Sequence, residues 1–513
     1  MRRKIDEARE AEEEMLHQEK GPGGGGGSGI TPGFVRACLY NNERGDGILF
    51  AALHREKYVH IKSTGQWLAW GGHHWQLDKA DYSHNAVEQV ALKYLEQAGL
   101  LKERIEAAMA EGKKDEAGHL DAERKLYMGR VSRLRGKGAK PCLEWAHKIG
   151  ADSLAIIGHE IDQRPWLLPC KNGVIDLQTG KLLAGCPGDY LVKAIPVEWQ
   201  GIDAPRPEWE KFIAEIHLDD PDIVAFVRRL LGYSITGLTT EHFIACFVGE
   251  GRNGKGTMFE TIKAIMGELA WSIQPELILE QKNTRSSAGP SPDLISLQGR
   301  RLVIASETDE NRKISGAKVK SLTGADTINA RAPHDRFETN FRPTHKLILY
   351  TNHIPIGLTR DYALFKRLLF LNYPLKFVDD PKDPNERQRD AGLPARLEKE
   401  APGILAWLVQ GCLEWQERGL DPPEKIRADA EELRRREDTF QQFFDERCLA
   451  DPDHHALFKD IYTKFAAWYA EEIDESERYR PSKKAVSAWL EKRGFQRTKP
   501  GGQATVNGLL LKP

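Results

Sequence analysis

A glycine-rich stretch near the middle of the chain has the residue types and spacing of a phosphate-binding loop. It reads GEGRNGKGT from Gly249 to Thr257, follows the apolar run HFIACFV (242–248) and precedes MFETIKAIMG. In a strand, loop and helix of this kind, glycines let backbone N–H groups turn towards the phosphates and the helix N-terminus adds a positive dipole. A lysine in the loop reaches the terminal phosphates. The stretch therefore predicts nucleotide binding, although glycine-rich loops also occur as plain turns.

Individual residues of the loop are assigned roles with ATP and Mg²⁺ as the expected ligands. The usual pattern has Ser or Thr directly after the lysine, but Gly256 occupies that position here. Thr257, one residue later, is therefore the predicted magnesium contact, directly or through water. The residues predicted to hold the nucleotide are Gly249, Gly251, Asn253, Gly254, Lys255, Gly256 and Thr257.

An apolar run that ends in acids lies downstream of the loop. RRLVIASETDEN (300–311) predicts a strand whose terminal carboxylates organise Mg²⁺ and polarise the attacking water. Glu307, at the strand end, is the predicted base and a metal contact. Ser306 stands where many ATPases have Asp, so Asp309 or Glu310 is expected to assist. The alternative is a strand followed by a solvated acidic turn.

Two later segments supply further candidates. HKLILYTNHIPIG (345–357) is an apolar strand that ends in Asn352, whose amide is predicted to orient the water or contact the γ-phosphate. RDYALFKRLLFLNYP (360–374) contains Arg367, which is predicted to reach the nucleotide of a neighbouring subunit. Such an arginine accelerates hydrolysis by on the order of 10³–10⁵ in well-studied cases. The alternative is an arginine whose stem lies along a helix surface.

The elements that position these residues follow from the periodicity of apolar residues. Between 242 and about 375, strand and helix patterns alternate, which predicts a mostly parallel sheet. WLAWGGHHW (67–75) and LPCKNGVIDLQTGKLL (168–183) predict hairpin turns. Helices are predicted at 84–98, 101–134, 142–157, 207–240 and 392–447.

The order of five motifs resembles the superfamily 3 AAA+ helicases: GEGRNGKGT, RLVIASETDEN, KSLTGADTINAR, FRPTHKLILYTNHIP and DYALFKR. Within them the chain is most similar to the phage and plasmid primase-helicase family, which includes poxvirus-type members. The likeness covers about 205–375. It implies an α/β fold with an AAA+ P-loop core, in a hexameric ring that hydrolyses ATP between subunits and moves 3′ to 5′ on single-stranded DNA. By position, Lys255, Glu307, Asn352 and Arg367 are similar to the family's phosphate-binding lysine, acidic strand residue, sensor and arginine finger.

Two segments are expected to contact DNA. Superfamily 3 helicases carry a DNA-gripping hairpin between the acidic strand and the sensor, and the corresponding stretch is 327–338. Its cations, Arg331, His334 and Arg336, are predicted to touch backbone phosphates, since such contacts supply most sequence-independent affinity. The alternative is an ordinary polar hairpin without DNA contact.

The last part of the chain is locally basic. Arg478 to Lys499 holds eight Lys or Arg residues against one acid, Glu491. SKKAVSAWLEKRG forms an amphipathic helix, and a hairpin with a Gly-Gly turn follows. This order resembles a winged-helix DNA-binding domain. The predicted DNA contacts are Lys483, Lys484, Arg493 and Arg497, and the alternatives are a solvated basic face or a protein-binding one.

Composition limits the class of protein. Lys and Arg number 74 and Asp and Glu 76, so the net charge of -2 neither favours nor excludes nucleic acid. Seven cysteines without a C-x-x-C pair indicate reduced thiols, and zinc is not expected. No apolar run approaches the roughly 18 residues of a membrane span. We expect a cytoplasmic protein, encoded by a phage or mobile element of a bacterial host, that does not contact membrane.

The length predicts several folded units. Residues 1–29 are expected to form a charged tail and glycine-rich linker, 30–203 an α+β helicase-preceding domain of collar type, and 204–390 the ATPase domain with a leading helical segment. A helical connector is expected at 391–449 and the winged-helix-like domain at 450–513.

The function that these features favour is an ATP-dependent DNA helicase acting on single-stranded and forked DNA. A primase needs a carboxylate pair for two metals, and before residue 200 the nearest candidate, Glu160 and Asp162, is poor. We therefore expect no priming by this chain and a separate primase or polymerase as partner. Two alternatives stay open: a nucleotide kinase, because GKGT also occurs in such loops, and a non-catalytic DNA-binding assembly protein that ATP only locks. Turnover of ATP, with or without strand displacement, separates the three.

Overall fold

The computed structural model describes residues 30–281, 291–306, 312–324, 326–331, 338–353, 362–473, 480–499 and 502–512. The predicted tail and linker at 1–29 lie outside these ranges. None of the helices in the described part combines the length and apolarity that crossing a membrane requires.

The N-terminal region combines a helical cluster with two small sheets. Its helices are α1 (Pro32–Tyr40), α2 (Asn42–His54), α3 (Tyr82–Asn85), α4 (Val87–Ala110), α5 (Lys114–Leu134) and α6 (Ala139–Ala146). The first sheet has the order β3-β2-β1-β4 and the second β5-β6-β7, with β1 (Tyr58–Ile61), β2 (Gln66–Trp70), β3 (Trp75–Leu77), β4 (Ala155–Ile156), β5 (Leu167–Cys170), β6 (Gly173–Asp176) and β7 (Lys181–Leu183).

Both hairpins predicted in this region are present. Trp70 pairs with Trp75 around the Gly-Gly turn, where Gly72 has φ +93°. Cys170 pairs with Gly173, so the turn residues are Lys171 and Asn172, one position before the predicted Asn-Gly pair. The predicted boundary between the two long helices was wrong. It was expected near residue 100, whereas the break between α4 and α5 falls at 111–113.

The helix predicted at 142–157 was wrong beyond Ala146. The helix ends at Ala146, and Gly150 with φ +82° cannot continue it. The apolar pair Ala155 and Ile156 then joins the open edge of β1 as a parallel strand. Tertiary pairing therefore overrode the apolar periodicity of this segment.

The central region is built on a five-stranded sheet with the order β14-β8-β13-β10-β9, in which every neighbouring pair is parallel. This confirms the predicted parallel sheet. Its strands are β8 (Ile244–Val248), β9 (Ala270–Ile273), β10 (Leu302–Ser306), β13 (Lys346–Thr351) and β14 (Leu368–Asn372), and small two-stranded ladders pair β11 (Ile328–Ala330) with β12 (Thr339–Phe341) and β15 (Lys376–Val378) with β16 (Glu386–Gln388). The helices are α7 (Pro207–Ile216), α8 (Pro221–Ser234), α9 (Lys255–Met266), α10 (Pro292–Ile295), α11 (Gly316–Thr323), α12 (Tyr362–Phe365), α13 (Leu393–Lys399), α14 (Ala401–Arg418) and α15 (Glu424–Glu437).

Alternate residues of the central strands enter two different cores. In β8, Ala245 and Phe247 pack in one core, whereas Ile244, Cys246 and Val248 pack in the other. Successive side chains of a strand point to opposite faces, so a strand that is apolar throughout must be covered on both sides. The uniformly apolar run before the glycine-rich loop is therefore a central strand of a covered sheet.

The C-terminal region has its own core. It comprises α16 (Thr439–Arg447), β17 (Cys448–Leu457), α17 (Phe458–Glu472), α18 (Lys483–Lys492), β18 (Arg497–Thr498) and β19 (Thr505–Leu511), with an antiparallel sheet of order β17-β19-β18. Phe440 and Phe443 of α16 pack in this core. The predicted basic helix and hairpin are both present, and two preceding helices and a strand complete the unit.

Candidate functional site

The glycine-rich loop leaves the carboxyl edge of the central sheet. β8 ends at Val248 and α9 begins at Lys255, so the predicted strand, loop and helix are present. Within the loop Gly251, Arg252 and Gly254 have φ of +93°, +51° and +84°. Left-handed residues in a short loop form the concave backbone that receives anions. The first turn of α9 adds amides that have no partner within the helix.

Lys255 lies beneath this loop as a buried cation. Only 3% of its surface is exposed, and its Nζ donates a hydrogen bond to the Gly249 carbonyl oxygen at 2.7 Å. Burial lowers the pKa of the ammonium to about 8. A desolvated cation whose partner is a neutral carbonyl favours an anion, so this arrangement fits the phosphate chain of a nucleotide.

The two positions after Lys255 differ in their surroundings. Gly256 is exposed, and a Cβ built on it meets no atom within 4 Å. Thr257 is partly exposed in the first turn of α9. A hydroxyl at either position would therefore have room, and the predicted magnesium contact through Thr257 stays a prediction.

Asn352 lies beside the loop, as predicted. β13 pairs in register with β8, Thr351 opposite Val248, so the residues that follow both strands leave from the same edge. A Cβ built on Gly251 would be 3.9 Å from Asn352 Oδ1. The structure thus brings the predicted sensor amide next to the phosphate loop.

The acidic candidates follow β10, the strand on the other side of β13 from β8. Glu307, Asp309 and Glu310 lie outside the described residues. The last described residue of β10, Ser306, pairs with Tyr350 one strand away from β8.

Arg367 lies at the opposite edge of the sheet from the loop of its own chain. It precedes β14, whose first residue, Leu368, pairs with Ile244 at the start of β8. A five-residue strand rises about 16 Å, which separates the two edges. The guanidinium donates to Thr323 Oγ1 at 2.9 Å and to the Lys320 carbonyl at 3.3 Å, in the last turn of α11. The residue therefore stands in a turn before a strand, not on a helix surface.

The predicted DNA-gripping segment is a hairpin in the structure. β11 and β12 pair antiparallel, with Ala330 opposite Thr339. Arg331 follows β11, and its backbone exchanges hydrogen bonds with Ser291, the Ser291 N–H donating to its carbonyl at 2.9 Å. His334 and Arg336 lie outside the described residues.

The basic C-terminal candidates differ in their partners. Lys483 and Lys484 are exposed and line a cavity of about 770 Å³. Arg497 lines the same cavity and donates to Ser487 Oγ at 2.8 Å.

Arg493, in contrast, faces an acidic partner. It stacks on the Trp489 ring at 3.7 Å and pairs with Asp438 at 3.2 Å. Its charge is therefore partly neutralised within the chain.

The nearest carboxylate pair for a polymerase site has structural roles. Glu160 accepts from the amides of Ile157 and Gly158, and Asp162 accepts from the amide of Val192 at 2.7 Å. Both carboxylates therefore hold backbone in place.

Two buried residues that the sequence did not single out form a hydrogen bond next to the phosphate loop. Tyr373 and His217 are buried, and Tyr373 Oη lies 2.6 Å from His217 Nε2. Their positions 156 residues apart left no signal of this pairing in the sequence.

Comparisons with known proteins add an independent finding. Residues 47–218 match the family model described as "D5 N terminal like", and residues 247–367 match DUF5906, a family of unknown function. A protein of Acanthamoeba polyphaga mimivirus that is named as a helicase (L207/L206) is 24% identical over 437 residues, which cover 81% of this chain and 44% of that protein. One of Invertebrate iridescent virus 3, also named as a helicase (121R), is 25% identical over 343 residues, 60% of this chain and 35% of its own. A protein of African swine fever virus named as a primase (C962R) is 22% identical over 334 residues, 61% of this chain and 34% of its own.

These matches support a relationship with the D5-like primase-helicases of large DNA viruses. The chain spans less than half the length of each of these relatives. Among solved structures, the match to the apo C-terminal region of NrS-1 covers 62% of this chain and 76% of that one, at 13% identity and a TM-score of 0.36.

Proposed function

We propose that this chain is an ATP-driven DNA helicase of viral or mobile-element replication, of the superfamily 3 AAA+ type. One observation carries the proposal. The parallel strands β8 and β13 end side by side, and the phosphate loop with buried Lys255 lies next to Asn352 at those ends. Ligands of open parallel sheets bind outside the carboxyl ends of the strands, where the connections diverge to opposite sides. The relatives' names, which assign helicase or primase roles, agree with this function.

The chain's own residues have distinct tasks in hydrolysis. When bound, ATP with Mg²⁺ supplies the scissile anhydride and the charge of the metal. Lys255 exchanges its bond to the Gly249 carbonyl for phosphate oxygens, which matches a buried cation with an anion. The Asn352 amide orients the attacking water or holds the terminal phosphate, and Glu307 is proposed as the base that takes the water's proton.

The position of Arg367 supports action between subunits. Because it lies at the far edge of the sheet from its own phosphate loop, it can serve hydrolysis only at a neighbour's nucleotide. A head-to-tail arrangement of subunits that closes on itself is a ring. The proposed assembly is therefore a ring, hexameric as the superfamily resemblance implies.

DNA contact is proposed for two surfaces. The β11–β12 hairpin, whose connection begins at Arg331, is proposed to grip single-stranded DNA. The C-terminal unit, with Lys483 and Lys484 on α18 and Arg497 on β18, is proposed to bind forked DNA in the manner of a winged helix. Primer synthesis is assigned to a separate primase or polymerase.

The test is DNA-stimulated ATP hydrolysis with displacement of a labelled strand from a fork. Lys255→Ala is expected to abolish both activities, since it removes the phosphate-binding charge. Lys263→Ala is the matched control, because Lys263 lies on the same helix and pairs at the surface with Glu260. Full activity of Lys255→Ala overturns the loop assignment.

The two alternatives give different outcomes in the same experiment. Phosphoryl transfer to a mononucleotide without strand displacement would identify a kinase. Nucleotide and DNA binding without turnover would identify an assembly protein that ATP locks.

A further inference from the structure

The segment that follows β14 contacts the phosphate loop through its backbone. The Asn253 side-chain amide donates to the Tyr373 carbonyl at 3.5 Å, and the Phe377 N–H donates to the Arg252 carbonyl at 2.6 Å. A Cβ built on Gly249 would lie 2.4 Å from the same Tyr373 oxygen. The Tyr373 backbone is therefore in direct contact with both ends of the loop.

The Tyr373 side chain connects this contact to α7. Tyr373 Oη lies 2.6 Å from His217 Nε2, and His217 Nδ1 lies 2.7 Å from the Ile213 carbonyl oxygen. Since a carbonyl only accepts, Nδ1 carries the proton, and Nε2 accepts from the phenol. Burial lowers the pKa of His217 to about 4 and raises the pKa of Tyr373, so both groups are neutral at physiological pH.

The end of α7 also packs against the loop directly. A Cβ built on Gly254 would lie 2.5 Å from Ile216 Cγ2 and 3.3 Å from Phe212 Cε2. The loop is thus held between α7 on one side and the segment after β14 on the other. The bond between Tyr373 and His217 joins these two supports to each other.

We propose that Tyr373 and His217 are positioning residues that hold the phosphate loop in its nucleotide-binding conformation without touching the nucleotide. This inference rests on the proposed function of the loop. Without the phenol hydroxyl, His217 Nε2 is a buried acceptor with no donor, and the two supports can move independently. Nucleotide binding then has to order the loop, which weakens affinity. At saturation the bound nucleotide orders the loop itself, so the hydrolysis step is preserved.

The experiment is Tyr373→Phe in the full chain, which keeps the ring and the backbone carbonyl. We expect the Kd for ADP and the KM for ATP to rise about 3- to 10-fold, the effect of one buried hydrogen bond, with kcat within about two-fold of the unmodified protein. Tyr233→Phe is the matched control, because Tyr233 is also buried and its hydroxyl accepts from the Glu241 amide, away from the loop. The control is expected to leave KM unchanged.

A second variant tests the pairing itself. His217→Leu removes the acceptor, and the double variant with Tyr373→Phe is expected to raise KM no more than the larger single change, since both remove one interaction. An unchanged KM in Tyr373→Phe, an equal rise in Tyr233→Phe, or a fall in kcat alone overturns the positioning role while the nucleotide site stands. Absence of nucleotide binding by the unmodified chain overturns both.

Discussion

At the scale of single residues, Lys255 is the group whose ionisation has most consequence. Its ammonium is buried against a carbonyl and not a carboxylate, so desolvation dominates and holds its pKa near 8. A bound phosphate chain reverses this effect, because it favours the charged form. The residue is therefore charged at neutral pH but loses its charge more readily than a surface lysine.

Nucleotide affinity is expected to depend on pH in a defined direction. Below about pH 8, Lys255 is charged and nucleotide affinity is constant. Above about pH 8, Lys255 of the nucleotide-free protein loses the proton that binding requires. The Kd for nucleotide therefore rises by up to about ten-fold per pH unit. Fluorescence titration with ADP from about pH 7 to about pH 9.5 measures this. Lys255→Arg stays charged throughout and is expected to show no such rise. The same decline in the arginine variant contradicts the assignment to Lys255.

Two glycines of the loop are expected to respond in opposite ways. Gly256→Ser meets open space and replaces glycine within the first turn of α9, so we expect retained hydrolysis and about 0.5 kcal/mol of added stability. Gly254→Ala meets Ile216 at 2.5 Å and requires a left-handed residue at φ +84°, so loss of nucleotide binding is expected. ATP hydrolysis and thermal unfolding of both variants test this pair. Equal losses in the two contradict the loop geometry.

At the scale of elements, β14 connects the proposed arginine finger to the segment that supports the phosphate loop. Arg367 precedes the strand at one edge of the sheet, and Tyr373 follows it at the other, beside the phosphate loop. Five residues of paired strand separate them, so neither can move alone along the strand direction without disturbing the pairing with β8. One strand thus carries the proposed arginine finger at one end and the residue that supports the chain's own phosphate loop at the other.

Arg367→Ala is expected to bind nucleotide normally but to hydrolyse it at least about 10³-fold more slowly, since it removes charge stabilisation supplied to a neighbour. Mixed with Lys255→Ala, it is expected to recover part of the activity, because some interfaces then pair an intact loop with an intact arginine. Lys366→Ala, its exposed neighbour, serves as control. Mixed assemblies without any recovery contradict action between subunits.

At the scale of the whole molecule, charge is distributed unevenly. The chain has a net charge of only -2, yet one cavity of the C-terminal unit is lined by four basic residues, Lys459, Lys483, Lys484 and Arg497, against two acids, Asp460 and Glu491. Cations that neutralise DNA phosphates release counterions, so such a surface makes affinity depend on salt. Arg493, already paired with Asp438, adds less to this surface.

DNA affinity is expected to fall steeply with salt, with a log–log slope of roughly 0.9 per phosphate contacted on duplex. Lys484→Ala is expected to reduce that slope by about one, and Arg493→Ala by less because its charge is paired within the chain. Fluorescence anisotropy on forked DNA at several salt concentrations measures both slopes. A flat response in the unmodified protein rules out the basic surface.

Two buried cations at the start of central strands hold segments that are distant in sequence. Arg301, 4% exposed, donates to the Ile235 carbonyl at 2.6 Å and to the carbonyl of Arg164 at 3.2 Å, which lies just before β5. Lys346, equally buried, donates to the Leu238 carbonyl at 3.1 Å. Arg301 therefore fixes the segment at β5 of the N-terminal region to the central sheet. Lys346 instead holds the segment that follows α8 within the central region. In the sequence both cations stand in runs that predict only strand beginnings.

The sequence by itself determined those features that local order encodes. The glycine spacing around Lys255 predicts the loop, the apolar run before it predicts a buried strand, and Gly-Gly and Asn-Gly predict turns, because each depends on residues a few positions apart. The placement of Asn352 beside the loop also followed, since parallel strands end at the same edge.

Only the tertiary structure decided the features that depend on distant segments. The pairing of Tyr373 with His217, the strand formed by Ala155 and Ile156, and the edge of the sheet on which Arg367 stands all require contacts that periodicity does not encode. The physical reason is that side-chain hydrogen bonds and strand order are set by packing in space, whereas sequence spacing reports only the local backbone.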